Sequence, residues 1–368
     1  MHDLVIVGAG PAGSAAALAA LAARPDSSVL LLDRARFPRD KACGDAIGSH
    51  AVRVLDALGA TSAVAGYPTM ARFELSDGDV VVRAPLRGAT FTVPRRVFDD
   101  RLRSAAVVSG AHVTRHHVRR LERSEDHVVL DGSVAARAVV AADGANSRIR
   151  RLLGHDRNPP RALAVAMRGY AAAGRALDQR IVLDDAHWPA YGWSFAIGDG
   201  TANVGWGTTV AALREGPVGG AQRVAFEERV TTVSGRPVRD LRAHHLPLST
   251  WRPPLFDGRV LLTGDAASLV NPLSGEGIFY ALLSGALAGR AAVTARAPGP
   301  SYACQLRRRL GWHLRHTRVA SAMLFLRAVR RAGLRAAAVP RAFDDLTELA
   351  LGDGCITPAL ALALLRSA

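Results

Sequence analysis

Short unbroken apolar runs recur along the chain at positions 4–7, 28–32, 138–142 and 260–263. Runs of this length and continuity are expected of strands buried on both faces of a parallel sheet. Positions 14–23 are almost entirely alanine and leucine, strong helix formers, so a helix follows the first strand. Further helices are expected over 49–58, from Pro94 to about Ser109, and from Gly277 to about Ala297. A different pattern starts near Tyr67. Residues 72–75 and 80–83 alternate around Asp77-Gly78, a hairpin signal. Positions 112–131 hold two or three short strands, and 162–245 read as β-rich. There a hairpin around Asp199-Gly200 brings Tyr191, Trp193 and Trp206 onto one sheet. Residues 301–368 read as helical, with breaks at Gly333 and Pro340.

These patterns predict an α/β protein with a discontinuous dinucleotide domain, 1–66, 95–160 and 246–298. An antiparallel β-rich substrate domain, 67–94 and 161–245, is inserted into it, and 299–368 forms a helical C-terminal segment. The parallel sheet has a chemical signature at its strand ends. Gly8, Gly10 and Gly13, with Pro11 and Ala12 between them, stand where the first strand gives way to the first helix. Glycine suits that junction three times over: for the tight turn, for approach of backbone to a pyrophosphate, and for helix–strand contact. Asp33 follows Gly13 by twenty residues at the end of the second run, where a ribose-binding carboxylate belongs. An ADP-containing dinucleotide is therefore expected. Asp143 and Asp265 end two more runs, at the strand ends where open α/β sheets keep their ligands.

Composition narrows the classes. At 368 residues with 49% hydrophobic and 21% charged residues, the chain is globular and long enough for a substantial core. No apolar run reaches the roughly 20 residues that span a bilayer. The chain enters its first strand at once without a basic leader, and Cys43, Cys304 and Cys355 are too scattered for a disulfide framework or a metal site. A cytoplasmic monomer without metal is expected. The net charge of +15 rests on arginine, Lys41 being the sole lysine, which is the mark of codon bias. Aromatics are only 5% and no nucleic-acid module is recognisable, so a nucleic-acid partner is not expected. Nine arginines and no acid lie between Gln305 and Arg335, interleaved with leucines. That segment is either a solvated helical cap or a basic amphipathic surface for an anionic membrane, which would place the protein at the membrane periphery.

Taken together, the first glycine loop, Arg95 with Phe98 and Asp99, Asp143-Gly144, and Gly264-Asp265 with Pro272 and Gly275-Glu276-Gly277 resemble the FAD-dependent oxidoreductases built like aromatic hydroxylases. Pro38-Arg39 with Lys41, Cys43 and Gly44, and Tyr191, Trp193 and Phe195 ahead of Asp199-Gly200 and Val204-Gly205, are similar to the geranylgeranyl reductase family within them. Here Ala196 follows Phe195, where that family usually has proline. The resemblance implies FAD, with Gly8, Gly10, Pro11, Ala12, Gly13, Asp33 and Arg34 on its ADP half and Arg95 at the pyrophosphate. It implies Asp265, with Gly264, at the ribityl or pyrophosphate region, and Pro272, Gly275, Gly277 and Ile278 beside the isoalloxazine. Free N–H groups at the start of the helix after Gly277 would then face the electron-rich end of the reduced flavin. Cys43, Gly44, Asp143 and Gly144 complete the implied cofactor set, and Cys43, Tyr191, Trp193, Gly275 and Glu276 the implied catalytic set.

Several residues carry a plainer alternative. Asp143-Gly144 is either a ligand or a strand-terminating turn. Tyr191 and Trp193 are either core aromatics or a substrate wall. Cys43 is either a buried small hydrophobe or, beside Arg39 and Lys41, an activated thiol or proton donor. The implied activity is hydride transfer to a carbon–carbon double bond of an apolar, isoprenoid substrate. The alternatives are a flavin monooxygenase that hydroxylates or epoxidises a small molecule, and a lipid-binding protein that keeps flavin as structure. Only one dinucleotide fingerprint is present, so NAD(P)H would bind transiently or an electron-donor protein would replace it.

Overall fold

The fold was taken from a computed structural model, which describes residues 1–78, 80–213 and 220–367. The four apolar runs form the parallel core of an eight-stranded sheet. His2–Val7 lies between Val29–Asp33 and Val134–Ala141, with Val5 opposite Leu30 on one side and Val139 on the other. His112–Arg115 extends one edge and Val260–Leu262 the other, both in parallel. Leu4, Val5, Ile6, Leu31 and Val139 are completely buried, as expected of strands covered on both faces.

The first helix, Pro11–Ala23, is buried nearly all round rather than along one stripe. Its alanines let another helix come very close. Gly285 and Gly289 of Ile278–Thr294 face it, and a Cβ on either would lie 2.1 or 2.0 Å from the carbonyl oxygen of Ala12 or Ala16. Small residues on both helices thus fix the second glycine-rich segment, 264–277, above the first glycine loop.

The seven-stranded second sheet runs in the order Val238–Pro247, Leu163–Ala172, Thr201–Thr209, Ala190–Ala196, Asp178–Asp184, Arg72–Asp77, Val80–Pro85. It is antiparallel apart from the parallel pairing of Asp178–Asp184 with Arg72–Asp77, where Ile181 stands opposite Leu75. The expected hairpin is present, with Trp193 opposite Gly205 and Gly192 opposite Trp206. Alternation turns Trp206 away from Tyr191 and Trp193. Trp206 packs edge-on against Phe226 on the far side.

Two expectations need correction. The stretch read as uniformly β-rich contains the helix Gly220–Ser234, held to the sheet through buried Phe226 and Val230, four residues apart. In the C-terminal segment Pro340 opens a helix as expected, but Gly333 breaks nothing: it sits inside Arg327–Ala336. The break falls between Met323 and Arg327, where Arg330 donates to the carbonyls of Leu324 and Phe325, left open at the end of Pro298–Met323.

Candidate flavin site

A cavity of about 840 Å³ lies between the carboxyl ends of the parallel strands and the inner face of the second sheet. One end is the first glycine loop. A Cβ on Gly13 would stand 1.8 Å from the carbonyl oxygen of Gly8, and one on Gly8, at φ +105°, would stand 2.3 Å from that of Ala142. Gly10, Pro11 and Ala12 line the cavity, whereas Gly13 serves the turn behind it. Asp33 also lines it, and its two oxygens accept from the N–H groups of Ala9 and Ala35, each at 2.8 Å. That ties the second strand end to the loop. Arg34 lies at the same end.

Arg95 and Arg39 divide the role expected of one arginine. Arg95 is buried in the cavity wall and forks onto Asp99 at 2.6 and 2.8 Å. Arg39 reaches the same Asp99 at 3.1 Å, and its Nη2 lies 3.2 Å from where a Cβ on Gly10 would be. The guanidinium over the glycine loop is therefore that of Arg39, supported from behind by the Arg95–Asp99 pair.

Asp143 and Gly144 line the cavity, but the Asp143 carboxylate is already engaged. It accepts from Ser147 Oγ at 2.5 Å and from the N–H groups of Arg148 and Ile149 at 2.6 and 3.0 Å, capping the short helix Arg148–Leu152. Burial raises its pKa, and these hydrogen bonds oppose that rise. Asp265 is different. Among the described residues its one side-chain hydrogen-bond partner is the lone lysine, with Lys41 Nζ 2.9 Å from Oδ2. Burial raises the Asp265 carboxyl, and the surrounding positive groups, Lys41 first and Arg95 with it, together hold it below its usual range. His244 lies beside this pair, and burial together with Lys41 lowers its pKa. Its buried Nε2 has no hydrogen-bond partner among the described residues. Gly264 is packed behind the site, between Ala12 and Ala281.

At the other end Tyr191, Trp193 and Phe195 line the cavity from alternate positions of one strand. Trp193 is pinned by Asn203, which accepts from its indole N–H at 2.8 Å. Tyr191 donates its hydroxyl to the carbonyl of Ser274 and closes over Gly275, where a Cβ would lie 2.7 Å from the phenol oxygen. Gly275, Gly277 and Ile278 line the cavity, and Pro272 does not. The expected free N–H groups are partly taken: Glu276 Oε1 accepts from Phe279 N at 2.7 Å and caps the Ile278–Thr294 helix. Burial pushes Glu276 up to about 7.

The loop carrying Cys43 crosses between the two ends and is moored to the second sheet. Arg168, fully buried, holds Asp40 at 2.5 and 2.6 Å. Tyr170, two residues on along the same strand, donates to Asp45 Oδ2 at 2.7 Å. Its cross-strand neighbour Asn203 donates to the same oxygen at 2.7 Å and to the carbonyl of Cys43 at 2.8 Å. Asp45 sits at φ +61° with Oδ1 buried and unpaired, and burial pushes its carboxyl up to about 6. Burial likewise raises the Cys43 thiol, against the pull of the neighbouring Arg95 guanidinium. Cys43 lines the cavity and packs against the core, and the raised thiol speaks against an activated nucleophile while fitting both a buried small hydrophobe and a proton donor. Gly44 lets the loop touch the aromatic wall, with a Cβ there only 3.2 Å from the Phe195 ring.

Residues 1–173 match the family model described as FAD binding domain. The chain is 37% identical over 315 residues to the menaquinone reductase of Mycolicibacterium smegmatis, covering 78% of this chain and 75% of that one. It is 33% identical to digeranylgeranylglycerophospholipid reductase 1 of Methanopyrus kandleri, with 80% of each chain covered. The chain belongs to the geranylgeranyl reductase family of FAD-dependent oxidoreductases. The fold agrees: the geranylgeranyl bacteriochlorophyll reductase-like protein of Thermoplasma acidophilum superposes with a TM-score of 0.74 at 19% identity, over 100% of this chain and 95% of that one. This family member is thus an FAD-dependent oxidoreductase with a Rossmann-like FAD-binding domain, an antiparallel second sheet and C-terminal helices. Among its described residues no helix is long and apolar enough to cross a membrane.

Lys41, Arg39, Asp45 and His244 were absent from the expected site set. Being the only lysine marks Lys41 in the sequence, but its partner lies 224 positions away. His244 carried no sequence signal, standing in an otherwise ordinary strand. A third cluster, His50 with Glu348 and Asp353, lies outside the cavity lining and joins the Ser49–Ala57 helix to the C-terminal segment. Arg53 at His50 Nδ1 and Arg309 at Asp353 already place positive charge there, so the cluster reads as a latch.

Proposed function

We propose that this enzyme delivers hydride from reduced FAD to a carbon–carbon double bond of an apolar, isoprenoid substrate. The observation that carries the reading is the continuity of the cavity from the glycine loop, past the Cys43 thiol, to the wall of Tyr191, Trp193 and Phe195. The names of the related menaquinone and digeranylgeranylglycerophospholipid reductases support the same substrate class. The residues present fit the cofactor: Gly8 and Gly13 leave a turn that no side chain could share, and Gly10 lets backbone approach a phosphate. Gly10, Asp33 and Arg39 would hold the ADP half, and Asp265 with Lys41 the middle.

When bound, FAD supplies the two-electron chemistry, accepting hydride from a reduced nicotinamide or a donor protein and passing it to carbon. The protein's own residues govern the proton. Saturating a double bond takes one hydride and one proton, and burial keeps a proton on Cys43 Sγ at neutral pH. Two acids of the same cavity titrate toward neutrality and could resupply that proton: Asp45, moored in the same loop and pushed up to about 6, and Glu276, pushed up to about 7. Tyr191, Trp193 and Phe195 line this end with aromatic rings rather than charges, which suits an apolar alkene.

Anaerobic single turnover of photoreduced enzyme with a prenylated quinone or a geranylgeranyl lipid, read by mass spectrometry, tests the proposal. The expected product gains two hydrogens per flavin. A product that gains oxygen, and only in air, overturns it in favour of a monooxygenase. Cys43→Ala should slow the reductive step about a hundredfold, the usual contribution of a positioned acid, with flavin content unchanged. Wild-type rates in both Cys43→Ala and Cys43→Ser would reduce the residue to packing.

A further inference from the structure

The end of the Pro298–Met323 helix exposes an apolar stripe on the face opposite its packed one. Leu306, Leu310, Leu314 and Thr317 are buried against the protein. Trp312, Val319 and Met323 follow one another at intervals of seven and four, which at 3.6 residues per turn puts them on a single line along the outside. The helix ends at Leu324, and Phe325 and Leu326 continue the stripe into the turn. Trp312 is 67% exposed, and Phe325 and Leu326 are each 62% exposed. Five large apolar side chains in sequence on one corner are more than scattered surface hydrophobes.

Charge surrounds the stripe. Of the nine arginines in 305–335, Arg309 pairs with Asp353, Arg327 and Arg330 with Asp185, and Arg335 with the carbonyl of Ser367. Arg308 and Arg315 flank the apolar line, and Arg315 stacks over the Trp312 ring at 5.1 Å. Arg318 stands near Arg315 and Arg252, and this crowding of cations, after burial, lowers the Arg252 pKa. No acidic residue occurs between 305 and 335. Among the described residues Arg308, Arg315 and Arg318 make no ion pair, and such cations beside an apolar ridge complement a surface that offers both anions and hydrocarbon.

We infer that this corner docks on an anionic lipid bilayer, with Trp312, Phe325 and Leu326 entering the headgroup–acyl boundary and Arg308, Arg315 and Arg318 meeting lipid phosphates. The corner is tied to the substrate side of the protein. Arg330, which closes its turn, lies 4.4 Å over the Trp188 ring, two residues before the strand that carries Tyr191 and Trp193. The inference stands on the surface itself and does not depend on which bond is reduced.

Co-sedimentation of the full flavin-loaded protein tests it, using vesicles of phosphatidylcholine alone and with 30% phosphatidylglycerol added, a composition chosen to give about the anionic character of a cytoplasmic leaflet. Binding is expected only with the anionic lipid and should weaken as salt rises. The triple variant Arg308→Gln, Arg315→Gln, Arg318→Gln should lose about a hundredfold in partition, from about fivefold per arginine. Brominated acyl chains should quench tryptophan emission in the wild type and much less in Trp312→Phe. Phe325→Ser with Leu326→Ser should weaken binding while flavin content and circular dichroism stay unchanged. Absence of binding, or binding indifferent to lipid charge, overturns the inference. So does a concentration-dependent dimer that Leu326→Ser abolishes, which would assign the stripe to a second copy of the chain.

Discussion

The two ends of the cavity are built by different means. At the glycine loop the contacts centre on backbone: Gly13 packs against the Gly8 carbonyl and Gly8 against Ala142, and the one side chain tying in the next strand, Asp33, accepts from the backbone N–H groups of Ala9 and Ala35. At the aromatic wall they are side chains from distant strands. Asn203 orients Trp193, Tyr191 reaches Ser274, and Arg168, Tyr170 and Asn203 moor the Cys43 loop. A backbone-built site recognises what is constant, a pyrophosphate and its ribose. A side-chain-built site can be refitted to another substrate without disturbing the first.

The largest expected effect breaks the backbone end. Gly13→Ala puts a methyl 1.8 Å from a carbonyl oxygen that cannot move without opening the turn, at a cost of at least about 3 kcal/mol. The protein should emerge colourless and with a lowered unfolding midpoint even as apoprotein. Gly10→Ala separates binding from folding, because the nearest obstacle is the mobile end of Arg39 at 3.2 Å. Apoprotein stability should match the wild type while FAD affinity falls more than tenfold, about 1.4 kcal/mol. Equal FAD affinity in Gly10→Ala, measured by fluorescence titration, would remove the close approach to phosphate from the argument.

The side-chain end should reveal itself through pH. Asp45 is raised from its ordinary 3.8 to about 6, chiefly by burial. The folded state then binds the proton more tightly than the unfolded one. This stabilisation is complete below the ordinary value and is lost as pH rises through about 6, by about 3 kcal/mol in all. Glu276, raised from 4.5 to about 7, acts in the same direction over an overlapping window. Asp45→Asn keeps an oxygen for Tyr170 and Asn203 but removes the charge. The variant's gain over the wild type should therefore grow by about 3 kcal/mol between pH 4 and pH 8 in urea titrations, leaving the Glu276 slope in both. A gain that is the same at both pH values would mean that Asp45 ionises freely in the folded protein.

Sequence reading succeeded where contacts are local. The parallel strands, the glycine loop and the acid twenty residues on are joined by one strand–helix–strand unit, so composition and spacing specify them together. Asp143 carries both readings the sequence offered: it lines the cavity at the end of a parallel strand as a ligand would, and Ser147 and the next helix take up its oxygens as a turn would. The signal for that alternative, an acid four residues before a serine, was equally local. What stayed hidden depends on pairs far apart in sequence. Lys41 finds Asp265 across 224 positions, Asp45 finds Asn203 across 158, and Asp40 finds Arg168 across 128. No periodicity or spacing encodes such pairs. They follow from the way the second sheet lies on the first. The helix 220–234 was missed for another reason, since its buried face is only Phe226 and Val230.

The smallest expected effect sharpens the contrast by asking what a glycine is for. Gly333 looks in the sequence like a breaker, as Gly13 looks like a turn residue, yet it lies inside Arg327–Ala336 at ordinary helical dihedrals. A Cβ built there meets nothing within 4 Å, whereas at Gly13 three atoms lie within 3.2 Å. Helix propensity then decides the outcome, because alanine loses less backbone freedom on folding than glycine does. Gly333→Ala should stabilise the protein by about 0.5–1 kcal/mol, with unchanged flavin content. Chemical denaturation at fixed pH reads this as a higher midpoint with the same slope. Destabilisation would mean that the gap over Gly333 is used by a neighbouring side chain. Set against Gly13→Ala, the opposite sign from the same one-methyl change would show that contact geometry, rather than residue type, separates the two glycines.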